Sequence, residues 1–169
     1  MFGRSATGIA LLLLAMTGGC GDGGTGASQS AVGQAEGAAG MVAVTVKSAN
    51  GAHRFLVESA ASEEEQRRGL MFRTDIPENG GMLFAPYPPS GAPREASFWM
   101  KDTPTPLDIL FIRPDRTIAR IAENTIPQSE VPVASGEPVA AVLELRGGRS
   151  LDLGIKEGDQ VSWTTPVTR

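Results

Sequence analysis

Cysteine, histidine and surplus positive charge are all scarce in this chain of 169 residues. Cys20 is its one cysteine, which excludes an intrachain disulfide and leaves no cysteine-based zinc site for a folded domain. His53 is its one histidine, and it lies in a plain strand pattern with no motif around it. Nucleophilic catalysis needs a base within hydrogen-bond reach, and Ser90 and Ser97 stand in no nucleophile-elbow context. The strand, glycine loop and helix arrangement that cradles phosphate is missing. Net charge is −4, so the clustered positive surface that nucleic acid requires is not indicated. No internal repeat is present, and no apolar run is long enough to span a bilayer comfortably. No cofactor is implied.

What the chain does have begins with a short charged start, Met1 to Arg4, and the apolar run Ile9 to Met16. Residues 1–19 read as a secretory signal peptide. Thr17-Gly18-Gly19-Cys20 resembles the bacterial lipoprotein box, with Thr17 where that motif prefers leucine, so Cys20 is expected to be acylated. Residues 20–40 carry glycine, alanine, serine and glutamine with almost nothing to bury, a composition that makes a flexible tether. The expected partner is a membrane reached through that lipid, on the periplasmic or extracytoplasmic face of a bacterial envelope, with ordinary secretion or a retained uncleaved anchor as the alternatives.

Residues 41–169 read as one compact β-rich domain. Val42, Val44 and Val46 alternate on one face, Ser48 to Gly51 supply a turn, and His53 to Glu58 complete a hairpin with a loop longer than the tightest type. Ser62-Glu63-Glu64-Glu65 is a capping box opening a short helix that Gly69 can stop. Met82 to Phe84, Leu107 to Ile112, Thr117 to Glu123, Val139 to Arg146 and Gln160 to Thr164 read as further strands, with residues 124–138 as a long loop and Gly147-Gly148 as a break. The sum is a mainly β (α+β) domain, a small barrel-like or strongly curved antiparallel or mixed sheet with one short helix.

Candidate chemistry concentrates between Phe98 and Asp108. An apolar strand end, Phe98 to Met100, runs into a corner stiffened by Pro104 and Pro106 and then into a buried strand carrying Asp108 near its start. Trp99 can supply a stacking face, Lys101, Arg68 and Arg73 positive charge, and Thr103, Asp102 and Asp108 polar contacts for a small polar ligand, an envelope glycan or a protein partner. The same stiffness also suits a polar network that only fixes the fold. Two other readings stay open. Asp102 and Asp108 could act as the carboxylate pair of a glycan-acting enzyme, which needs them about 5–9.5 Å apart. Met71, Met82 and Met100 beside Trp99 could hold Cu(I), although methionines in apolar runs also fill core gaps.

Taken together, Arg68-Gly69-Leu70-Met71-Phe72-Arg73, Gly81-Met82-Leu83-Phe84, Phe98-Trp99-Met100-Lys101-Asp102-Thr103, Pro106-Leu107-Asp108, Val142-Leu143-Glu144-Leu145 and Gly158-Asp159 resemble the bacterial and archaeal family called domain of unknown function 192. The family pattern has asparagine where this chain has Asp102, replacing an amide by a carboxylate that only accepts when ionised. The resemblance implies a compact, mostly β envelope or exported domain and implies no reaction.

Overall fold

The computed structural model describes residues 40–164. The expected signal peptide, Cys20 and all but the end of the tether lie outside the described residues. Strand alternation builds the first hairpin. β1 (Met41–Ser48) turns Val42, Val44 and Val46 to one side, where all three are buried, and β2 (Gly51–Ala60) pairs antiparallel with it and adds Phe55 and Val57 to the same core. The loop is shorter than expected. Only Ala49 and Asn50 separate the paired residues Ser48 and Gly51, and Gly51 takes φ 126°, a conformation that disfavours a side chain.

α1 (Glu63–Arg68) opens on the expected capping box. Ser62 Oγ accepts from the Glu65 amide at 3.3 Å, while the Glu65 carboxylate accepts from the Ser62 amide at 2.9 Å. The Ser62 amide, the Ser62 hydroxyl and the Ala61 amide, all donating to it, hold the Glu65 carboxyl below its usual range. The helix lies on the crossover that lets β3 (Gly81–Phe84) pair in parallel with β2.

β4 (Arg94–Phe98), β5 (Leu107–Ile112), β6 (Ile118–Ala122), β7 (Val133–Val139), β8 (Ala141–Arg146), α2 (Arg149–Leu153) and β9 (Gln160–Trp163) follow. Seven strands form one mixed sheet in the order β6-β5-β8-β3-β2-β1-β9, antiparallel except between β2 and β3. It curls strongly enough for its two ends to meet. The Ile118 amide donates to the Asp159 carbonyl at 2.9 Å, and the Val161 amide to that of Arg116 at 2.8 Å.

Two segments depart from the sequence reading. Residues 133–138, expected within a long loop, join Val139 in β7, which pairs with β4 in a separate two-stranded ribbon, so the strand expected from Val139 to Arg146 is divided at Ala140 and begins as β8 at Ala141. A ribbon with free edges tolerates Pro138, whose missing N–H would disrupt a central strand. Gly147-Gly148 does not simply break the chain, because Gly148 at φ 87° starts the short helix α2.

The curled sheet buries apolar side chains on both faces, so β5 is buried at every position and β8 at all but its last. Inside lie the hairpin valines with Leu83, Leu110, Ile112, Leu143 and Leu145. Outside, a second cluster packs Met82, Phe84, Ile109, Phe111 and Val142 beneath the ribbon and the segment from Leu70 to Met100. Alternation along β8 puts Glu144 on this outer face, between Met82 of β3 and Ile109 of β5.

Candidate functional site

The outer cluster does not close completely. A cavity of about 520 Å³ opens between α1, the turn from Tyr87 to Ser90, the end of β4 and the corner at Trp99 to Thr103. Its buried end is formed by Phe84, Leu70, Thr103 and Glu144, and its mouth by exposed residues that include Arg67, Arg68 and Arg94. Phe98 forms part of the wall and is held by Phe84 edge-on at 5.1 Å, Tyr87 at 5.7 Å and Phe111 at 6.0 Å between ring centres. This wall is fixed by packing on three sides.

Glu144 dominates the electrostatics. It is 4% exposed, no cation pairs with it among the described residues, and its Oε2 has no hydrogen-bond partner. Burial alone pushes its carboxyl up to about 8, so at neutral pH it is an uncharged acid able to donate a hydrogen bond. Gln66 lines the same cavity. Its Nε2 donates to the Ala60 carbonyl at 2.9 Å and the Pro86 carbonyl at 2.7 Å, which leaves Oε1 buried and, among the described residues, without a partner. Two unsatisfied buried groups thus share one cavity.

The residues expected from sequence divide. Arg68, Met71, Trp99 and Thr103 line the cavity, and Trp99 remains 49% exposed beside it. Lys101 sits with Nζ 5.5 Å from the Trp99 ring centre, outside the lining. Arg73 is engaged elsewhere, with Glu58 at 2.5 Å and Asp75 at 3.1 Å, and these partners strengthen its hold on its proton. Asp108 is fully buried. Its Oδ1 accepts from the amides of Asn124 at 2.7 Å and Gly148 at 2.9 Å, and its Oδ2 from that of Ser150 at 2.7 Å. That carboxylate ties β5 to α2 and to the chain after β6, and is not available to a ligand. Met82 and Met100 pack in the outer cluster, where Met100 Sδ accepts from Thr125 Oγ1 at 3.1 Å; Met71 alone of the three lines the cavity. His53 is satisfied by Ser48 Oγ at 2.9 Å across the hairpin.

The DUF192 family, described as "Uncharacterized ACR", matches residues 44–163. The chain belongs to the DUF192 family. Two solved structures are similar to it. One is a protein of unknown function from Novosphingobium aromaticivorans DSM 12444, 45% identical over 73% of this chain and 85% of that one, with a TM-score of 0.69. The other is a candidate transcription regulator from Sinorhizobium meliloti 1021, 40% identical over 73% of this chain and 93% of that one, with a TM-score of 0.68. No curated protein matches the chain.

Within this DUF192 chain, Asp102 has a backbone explanation. It takes φ 53°, where aspartate and asparagine are the non-glycine residues best tolerated, and its carbonyl accepts from the Phe72 amide at 2.7 Å. A turn that needs this conformation accommodates either side chain, without calling on an amide donor. Glu144 escaped the sequence reading although it lies in a matching fragment of the DUF192 pattern. The usable signal was a carboxylate inside Val142-Leu143-Glu144-Leu145, a run apolar on both faces of the strand.

Proposed function

We propose that this DUF192 protein is a non-catalytic binding module, exported and tethered at the extracytoplasmic face of the envelope through a lipidated Cys20, and that it takes a small polar ligand into the cavity beside Trp99. The observation that carries the binding reading is the pair of buried side-chain oxygens without a partner among the described residues, Glu144 Oε2 and Gln66 Oε1, on one cavity. A buried polar group left unsatisfied costs about 1–3 kcal/mol, and a bound ligand with matching groups removes that cost. The fixed aromatic wall supports the same reading, since rigid rings lose little freedom on binding.

A glycan-acting enzyme built on Asp102 and Asp108 has less support, because both oxygens of Asp108 are already bonded to backbone amides and neither residue lines the cavity. The test is native mass spectrometry of full-length protein recovered from its own envelope. Wild type should carry a small-molecule adduct, and Ser97→Trp, which places a bulky ring on an exposed lining position, should lose it while melting normally. An adduct equally present in Ser97→Trp places the ligand elsewhere and sinks the cavity reading. The anchor is tested separately: Cys20→Ser should move the protein into the soluble fraction, and retention on the membrane after processing would rule out the lipid tether.

A further inference from the structure

The cavity is electrically one-sided. From α1, Arg67 and Arg68 stand at its mouth with the single carboxylate of Glu63, and the segment between β3 and β4 contributes Tyr87, while β4 begins with Arg94. None of the three arginines belongs to an ion pair among the described residues. Arginine keeps its charge across the accessible pH range, so the entrance favours anions. The strands behind the cavity present no further charge: β3 offers Phe84, β4 Ser97 and Phe98, and β8 Glu144, whose neighbours across the sheet are Met82 and Ile109.

A cation entering this site would pass three guanidinium groups and gain a charged partner only after Glu144 released its proton. An anion meets attraction at the mouth and an acid with an O–H to offer at the far end. We propose that the cavity takes a small organic oxyanion with a flat apolar body, its charged group held by Arg67, Arg68 and Arg94 at the mouth, its body against Phe98 and Tyr87, and an acceptor oxygen at its inner end receiving a hydrogen bond from the Glu144 carboxyl. A buried acid that stays neutral in order to donate to an acceptor is an established device in ligand sites. The proposal rests on the cavity reading above and adds the ligand's chemical class.

The probes are 4-acetylbenzoate, which has both features, 4-isopropylbenzoate, which lacks the inner acceptor, and 4-acetylbenzylamine, which reverses the charge. Binding to the full-length protein is followed by NMR shifts of the Glu144 amide and the Trp99 indole. Glu144 holds its proton up to about pH 8, so its protonated fraction drops about tenfold from pH 7 to 9, and affinity for 4-acetylbenzoate should fall by about the same factor. The isopropyl compound should bind more weakly at pH 7 and without that slope, and Glu144→Gln should flatten the profile for the acetyl compound. Arg68→Ala with Arg94→Ala should weaken both benzoates. Tighter binding of the amine, strengthening as pH rises, overturns the oxyanion proposal and leaves the cavity reading intact. Absence of any shift from all three probes at millimolar concentration removes the cavity reading and the proposal together.

Discussion

Replacing Glu144 by glutamine should make the protein more stable, by an amount that depends on pH in a defined way. The folded state holds the Glu144 proton up to about pH 8, whereas the reference carboxyl lets it go near 4.5. Below that lower value both states are protonated and the group contributes no difference. Between the two values only the unfolded chain has released its proton, so wild-type stability falls as pH rises, by about 1.4 kcal/mol per pH unit. At pH 7 the accumulated penalty is about 3 kcal/mol, and above pH 8, where both states are ionised, it levels off near 5 kcal/mol. Glutamine is close in shape, keeps a donor and an acceptor, and does not ionise. The assay is urea or thermal unfolding of wild type and Glu144→Gln, without ligand, at pH 4.5, 7 and 8.5. For a domain of this size about 3 kcal/mol corresponds to roughly 10 °C in Tm, well above measurement error. A gap between the two proteins that is absent, or that stays constant with pH, would show that Glu144 is ionised in the folded state through a cation or water, and the account of a neutral buried acid would fail.

Other perturbations separate fold from site. Asp108→Asn keeps one acceptor oxygen but turns a donor toward at least one of the three amides now bound, so it should cost about 3 kcal/mol by urea unfolding; a change below about 1 kcal/mol would mean that the carboxylate is not the clamp described. Gly81→Ala should cost at least about 3 kcal/mol, because Gly81 sits at φ 151° and an added Cβ would collide with the backbone carbonyl of Glu144; near-normal melting would show that β3 can shift away from β8. Ser62→Ala should lower stability by about 1 kcal/mol through loss of the α1 cap, read from the same unfolding curves, and no change would mean that the capping box adds nothing to the fold.

The elements that could be read from the chain are those whose cause is local. Val42, Val44 and Val46 announce β1 by their spacing, Ser62 and Glu65 announce α1, and the run from Leu107 to Ile112 announces a strand covered on both faces. β7 was hidden by Gly136 and Pro138, because what stabilises it is the distant β4 and not its own propensities. The site shows the same division. Trp99, Arg68 and Thr103 were conspicuous by residue type, and they do line the cavity. Asp108 was equally conspicuous, yet its role depends on amides from Asn124, Gly148 and Ser150, whose convergence no local pattern reveals. Glu144 was inconspicuous because its importance lies in the absence of a partner, which appears only once the neighbouring strands are in place.

The pairing of β1 with β9 bears on when this protein can become folded. Val44 opposes Phe55 on one side and Trp163 on the other, so the first strand has one neighbour a few residues away and another at the far end of the described chain. The hairpin of β1 and β2 can form as soon as both strands are free, on a timescale of microseconds. Its other flank must wait for Gln160 to Trp163, the same residues that bring the two ends of the sheet together. A chain delivered from its N-terminus would therefore remain an incomplete sheet until almost the whole domain had emerged. Contacts this distant in sequence also place its folding toward the slow, millisecond-to-second end of the range for small domains.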